Sequence, residues 1–299
     1  TSPPTLFEGY GAVEGEGKVL AILKNTAPVE SANAGDEIEF LTDKTPFYGE
    51  SGGQVGDSGQ ASNENVQLEL HDANKPLPGL IVHKAKITQG TLRTGDTLTL
   101  KVNRQTRGDT ALNHSATHLL HAALKEVLGD HIKQAGSLVA SNRLRFDYTH
   151  FSPLTDKERT RIEARVNEKI RENIQVYTKE MEIDNAIKEG AMALFGEKYG
   201  ETVRVVDVPG FSKELCGGTH VNATGDIGLF RITSEGGIAS GVRRIEAVTG
   251  ATAYDTIRAE QESLSAIRDL LKAPSNEELV KLKKLLEKNR QLEKEISSL

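Results

Sequence analysis

The chain has 299 residues, 37% of them hydrophobic and 27% charged, which describes a globular protein of two or three domains and excludes a disordered one. No apolar run approaches the roughly 18 residues of a membrane span, and the start, TSPPTLFEGYGA, lacks a basic-then-apolar leader, so no membrane partner is expected. A net charge of −6 excludes a surface that is basic throughout, though not a local basic face for phosphates.

Residues 1–102 read as β. Alternating stretches recur at Lys18–Leu23, Asp36–Leu41, Val66–His71, Leu80–Ile87 and Thr97–Val102, separated by Gly, Pro and Asn clusters. Short strands at such spacing predict a small barrel or sandwich. Within them the run Thr45-Pro-Phe-Tyr-Gly-Glu-Ser-Gly-Gly-Gln-Val-Gly-Asp57 suits a tight loop or the close approach of another backbone.

Residues 103–250 read as α+β. Asp109 is the expected cap of a helix to about Leu128, with Gly129 ending it. Thr155 and Glu158 have the spacing of a capping box for a second helix through about Ile174. Strand-like runs follow at Gln175–Ile183, Thr202–Val208, Gly228–Ser234 and Val242–Val248, and Asp184 is positioned to cap a short helix toward Ala193. This order predicts a sheet with helices packed on one face.

Residues 251–299 read as helix. Ser275 and Glu278 have capping-box spacing after Pro274. Leu282, Asn289 and Ile296 take heptad a positions, and Leu285, Leu292 and Leu299 take d. So short a run fits an intramolecular helical hairpin, truncated here, as well as a coiled coil.

Two residue pairs carry the chemistry. His114 and His118 sit four apart on the first predicted helix, and that spacing puts both rings on one face. Cys216 and His220 have the same spacing around two glycines, which let a backbone turn tightly about a bound atom. Cys216 is the only cysteine, which excludes an internal disulfide and fits a reducing cytoplasm. A Cys/His₃ set favours zinc over magnesium or calcium. Four protein ligands describe a closed structural site, whereas hydrolytic zinc keeps a position for water. Either one of the four is not a ligand, or the zinc becomes five-coordinate, or it orients substrate. Gln134 could orient a water or hold an ester carbonyl. The turn bearing Arg243 and Arg244, and the run flanked by Arg143 and Arg145, suit a phosphate backbone.

Five segments, in order, resemble the alanyl-tRNA synthetase family downstream of its aminoacylation domain, and the related free-standing alanyl-tRNA editing proteins. They are Thr45-Pro-Phe-Tyr-Gly-Glu-Ser-Gly-Gly-Gln54, Asn113-His-Ser-Ala-Thr-His-Leu119, Lys133-Gln-Ala-Gly-Ser137, Leu215-Cys-Gly-Gly-Thr-His220 and Gly241-Val-Arg-Arg-Ile245, and the likeness covers residues 7–250. No ATP-binding or aminoacylation segment is seen, and there is no initiator Met, so a bacterial-type editing fragment of a longer protein is expected.

The resemblance implies an α+β multidomain fold: a small β-barrel over 1–102, a zinc-binding editing domain over 103–250 and a helical segment over 251–299. It implies hydrolysis of mischarged seryl- and glycyl-tRNA(Ala), with Zn²⁺ held by His114, His118, Cys216 and His220. Gln134 matches a residue that affects substrate handling, and Thr45 matches a barrel threonine that recognises the serine hydroxyl. The implied partners are the tRNA(Ala) acceptor end, the parent catalytic domain in cis and a second copy through a further C-terminal region, all in the cytoplasm. A threonyl-type editing domain has a similar ligand layout, and a tRNA-binding module with purely structural zinc is the reading outside enzymes.

Overall fold

The computed structural model of the chain describes residues 4–193 and 200–298; Leu299, expected at a d position, lies outside them. Six strands close into a barrel: β1 (Glu14–Lys24), β2 (Glu37–Thr42), β3 (Gly59–Ser62), β4 (Val66–Leu77), β5 (Leu80–Arg93) and β6 (Thr97–Val102). Neighbours run β6-β3-β4-β5-β2-β1, and β1 pairs back onto β6, every pair antiparallel. Closure removes the free edges that an open sheet exposes. The alternation read from the sequence sorts inside from outside. In β6, Leu98, Leu100 and Val102 are buried while Thr97 and Lys101 are exposed. β4 and β5 run farther than their hydrophobic alternation predicts, because the ladder continues through polar residues such as the Asp72–Lys84 pair.

Downstream come α1 (Arg104–Leu128), β7 (Gln134–Val139), β8 (Leu144–Thr149), α2 (Asp156–Arg171), β9 (Tyr177–Glu182), α3 (Ile183–Lys188), β10 (Thr202–Val208), β11 (Ser212–Leu215), β12 (Phe230–Ala239) and β13 (Val242–Thr249). An antiparallel sheet has the order β7-β8-β13-β12, and a second has β9-β10-β11. Leu119, Leu120 and Leu124 of α1 and Ile162, Val166 and Ile170 of α2 share one core with Leu144, Phe146 and Ile245 of the larger sheet. Each such aliphatic side chain contributes about 1.5–3 kcal/mol by leaving water.

Helix starts depend on which cap finds its donor. α1 begins upstream of Asp109 because Asn103 Oδ1 accepts from the Thr106 N–H at 3.1 Å. Asp109 lies inside the helix and accepts from Gln105 instead. The Thr155–Glu158 box forms in both directions, at 3.2 and 2.8 Å. α3 starts after Glu182 without a side-chain cap, and Asp184 falls in its first turn.

One buried ion pair fastens α1 to the barrel. Arg107, 7% exposed, donates to Asp57, to Gly9 O and to Pro46 O, while Asp57 also accepts from the Tyr48 N–H. Each guanidinium nitrogen and both carboxylate oxygens have a partner, as a buried charge pair requires.

The chain divides after Gly250, and Ala251–Leu299 forms a second unit. It comprises nearly all of α4 (Gly250–Leu271) and α5 (Glu278–Ser297). The expected Ser275–Glu278 box is absent: Glu277 takes the N-cap position with no side-chain bond, and the Glu278 carboxylate is engaged by Arg268. Leu282, Leu285, Leu292 and Ile296 are all exposed.

Inside the barrel, His83 lies fully buried between the Phe40 and Phe47 rings. Burial pushes its pKa down to about 4 from 6.5. The unfolded chain therefore takes up the proton first, and stability is complete above about pH 6.5 and lost as the pH falls toward 4. Urea unfolding of the barrel should lose about 2–3 kcal/mol from this group between pH 7 and pH 4.5. His83→Gln should remove that component of the slope; an unchanged slope would contradict it.

Candidate metal centre

α1 sets His114 and His118 one turn apart, and the end of β11 delivers Cys216 and the loop to His220. Ligand atoms of the four residues lie within 4.8 Å of one another. Cys216 Sγ is 3.4 Å from His114 Nε2 and 3.3 Å from His220 Nε2. Tetrahedral zinc, with bonds of roughly 2.0–2.3 Å, sets its ligands about 3.3–3.6 Å apart. The donors therefore fit zinc in type and in these two spacings. Gly218 is required for the approach: a Cβ there would fall 2.1 Å from the His114 ring and 2.8 Å from Gln54 Oε1.

Two of the three histidines, His114 and His220, are held by their other nitrogen. Gln54, fully buried at the barrel's loop, accepts from the Thr219 N–H at 2.9 Å and donates to Thr219 Oγ1 at 3.0 Å. A backbone N–H can only donate, so the oxygen of the carboxamide is identified without ambiguity. That same oxygen stands 2.7 Å from His114 Nδ1. His114 must therefore carry its proton on Nδ1, which leaves the Nε2 lone pair toward Cys216. Ser115 Oγ lies 3.1 Å from His220 Nδ1 and also accepts from the Val221 N–H. Glu214 stands behind His118, with Oε2 3.3 Å from Nδ1 but outside hydrogen-bond alignment. Such outer partners fix the tautomer and aim of a metal-binding imidazole.

The charge states suit a cation. Burial, reinforced by neighbouring rings, pushes the pKa values of His114 and His220 well below 6.5, and burial also lowers that of His118. All three are neutral at pH 7, as metal ligation requires. Burial by itself would push Glu214 up. The positive charge that His118 and His121 take on as the pH falls, with the Ser212 hydroxyl, outweighs it and holds the Glu214 pKa at about 2.

The neighbouring and remaining polar residues have separate surroundings. His121 Nδ1 is 3.3 Å from Glu214 Oε1, behind the ligand group. Thr45 is fully buried in the barrel wall, where its hydroxyl bonds His83 Nε2 at 2.8 Å and accepts from the Phe47 N–H. His83 Nδ1 faces the Phe40 carbonyl, an obligate acceptor, so the Thr45 hydroxyl is the donor to Nε2. Gln134 opens β7, half-buried and opposite Tyr148. Arg243 is sunk into an ion pair with Glu235, and Arg244 pairs with Asp147 while staying more exposed. Arg145 faces Asp147 at 3.6 Å, and Arg143 faces Glu246 at 3.7 Å. Gln54 holds His114 and Glu214 faces His118, yet motif spacing singles out neither one; a glutamate beside the apolar end of β11 is the only local hint of the second.

Residues 203–246 match the family described as threonyl and alanyl tRNA synthetase second additional domain, and residues 1–106 match tRNA synthetases class II (A). The first stretch contains Glu214, Cys216 and His220, and the second is the barrel. The alanine–tRNA ligase of Xanthomonas campestris pv. campestris (strain 8004) is 53% identical over 300 residues, and that of Xanthomonas axonopodis pv. citri (strain 306) is 54% identical over 297. The alignments take in 100% and 99% of this chain but 34% of each relative, so the chain spans about a third of their length.

Gln54→Leu keeps the side-chain volume and removes the acceptor behind His114. Zinc affinity, measured by chelator competition, should fall about 10–100-fold. Wild-type affinity would show that the carboxamide does not set the ligand.

Proposed function

Since the chain belongs to the alanyl-tRNA synthetase family, we propose that it edits mischarged tRNA, hydrolysing the seryl and glycyl esters of tRNA(Ala). The observation that carries this reading is the Cys/His₃ donor set, buried at His114 and His118 and half-buried at Cys216 and His220, partly inside the stretch that matches the second additional domain. A site for alanine cannot strongly exclude glycine, nor an isostere with one added hydroxyl, and a second hydrolytic site restores fidelity.

His114, His118, Cys216 and His220 would hold zinc. When bound, it would supply Lewis-acid polarisation of the ester and a fixed positive charge near the oxyanion that develops. The protein's own groups do the rest. Gln54 keeps His114 oriented and in one tautomer, Ser115 orients His220, and the Glu214 carboxylate stands behind His118. Gln134 is the proposed handler of the scissile ester, and Thr45, with its partner His83, the proposed discriminator of the serine hydroxyl. The proposed divisions are a barrel over 1–102, an editing domain over 103–250 and a helical segment over 251–299. Proposed partners are the tRNA(Ala) acceptor end, the catalytic domain of a longer parent chain in cis, and a second copy, all in the cytoplasm. Of the two arginines, Arg244 is the better placed for a phosphate, because Glu235 occupies Arg243 in a buried pair.

A second reading is a tRNA-binding module whose zinc is structural, and the complete set of four protein ligands favours it. Cys216→Ala separates the two. Editing predicts a folded variant that binds tRNA and has lost zinc-dependent deacylation; structural zinc predicts joint loss of metal and fold.

The zinc-loaded chain should release serine from seryl-tRNA(Ala) faster than alanine from alanyl-tRNA(Ala). Equal rates, or none where a full-length synthetase edits, would defeat the proposal. Arg244→Ala should weaken tRNA binding and reduce the salt slope by about 1. A slope equal to wild type would place Arg244 away from phosphates.

A further inference from the structure

The metal loop is gripped from outside as well as from within. Its three consecutive carbonyls, at Cys216, Gly217 and Gly218, all accept hydrogen bonds on the side away from the ligands. Arg204 donates one guanidinium nitrogen to Cys216 O at 3.0 Å and Gly218 O at 2.8 Å. Tyr10 donates its hydroxyl to Gly217 O at 2.6 Å. The Arg204 guanidinium also sits over the Tyr10 ring at 4.2 Å, a cation–π contact. The Arg204 carbonyl takes the Cys216 N–H at 2.9 Å, so one residue of β10 holds the ligand's backbone at two points.

The same peptide units point their N–H ends at the site. The unit whose carbonyl meets Tyr10 carries the Gly218 N–H, which faces Cys216 Sγ at 3.4 Å. The unit whose carbonyl meets Arg204 carries the Thr219 N–H, which binds Gln54. Each plane is rigid, so fixing its oxygen outward fixes its hydrogen inward. Without that grip, both planes border glycine, the residue least opposed to a peptide rotation. Tyr10 is itself placed by the barrel. Phe7, in register with Thr45, packs edge-on against its ring at 4.9 Å.

We infer that Tyr10 and Arg204 are positioning residues that latch two peptide planes of the metal loop, aiming the Gly218 and Thr219 N–H groups at the Cys216 thiolate and at Gln54. The inference rests on the reading of Cys216 as a metal ligand, and it gives the barrel a second hold on the site. Loss of the latch frees the planes to rotate, turning carbonyl oxygens toward a thiolate and weakening the donor set.

The test uses the full chain, zinc-loaded and without tRNA, in three forms: wild type, Tyr10→Phe and Arg204→Lys. Tyr10→Phe keeps the ring and removes one hydrogen bond. Arg204→Lys keeps the charge and removes the guanidinium that spans two carbonyls. Amide exchange followed by NMR should accelerate at least about tenfold at Gly218 in Tyr10→Phe and at Thr219 in Arg204→Lys, with core amides of α1 unchanged. Chelator competition should show zinc affinity about tenfold lower in each. Wild-type exchange at both amides overturns the latch, as does wild-type zinc affinity in both variants. Tyr10→Phe removes only a hydroxyl, so it remains informative if Arg204→Lys does not fold. Neither readout involves deacylation, so failure of the latch and failure of the editing proposal remain distinct results.

Discussion

The buried carboxamide of Gln54 is the constraint on which the rest of the site depends. Its oxygen takes the Thr219 N–H and faces His114 Nδ1, and its nitrogen donates to Thr219 Oγ1. Leaving such a buried group unpaired costs about 1–3 kcal/mol, so its partners are held in one arrangement. The arrangement joins three distant pieces of chain: the barrel loop, α1 and the Cys216–His220 loop. Arg107 and Asp57 fix the barrel against α1 by a separate buried pair. The barrel is therefore part of the candidate metal site's scaffold, because without it His114 loses the partner that sets its tautomer.

The electrostatics follow from the same burial. Three neutral imidazoles stand beside a thiol and in front of Glu214, an ionised carboxylate only 2% exposed. A thiolate and that carboxylate together present two negative charges, which a divalent ion balances. Arg204 adds a positive charge behind the loop, where it meets carbonyl oxygens. Folding thus prepares the three imidazoles in the neutral state that zinc needs, and binding has the thiol's proton to displace.

Local features of the fold were legible wherever a local rule decides them. Strand alternation found the barrel, because inward positions such as Leu98 and Leu100 must be apolar. The i,i+4 spacing found His114 and His118, because a helix turn admits little else. Caps are less legible. Asn103 and Asp109 are both good capping residues, and only the fold shows that Asn103 reaches its donor. The Thr155–Glu158 and Ser275–Glu278 pairs share one spacing, yet in the second an arginine claims the glutamate. Gln54 and Glu214 were illegible for a different reason: their partners lie far along the chain, where residue spacing carries no information. The same holds for Tyr10, whose place is set by Phe7 and by a loop two hundred residues away.

The proton on His114 gives the most direct test of this account. A long-range ¹H–¹⁵N spectrum of the imidazoles in the metal-free chain at pH 7 distinguishes a protonated ring nitrogen from one with a lone pair. The account predicts neutral His114 with its proton on Nδ1 and a lone pair on Nε2, and the same tautomer after zinc is added. A proton on Nε2, or a charged ring, would contradict it, since Gln54 would then not be the group that sets the ligand.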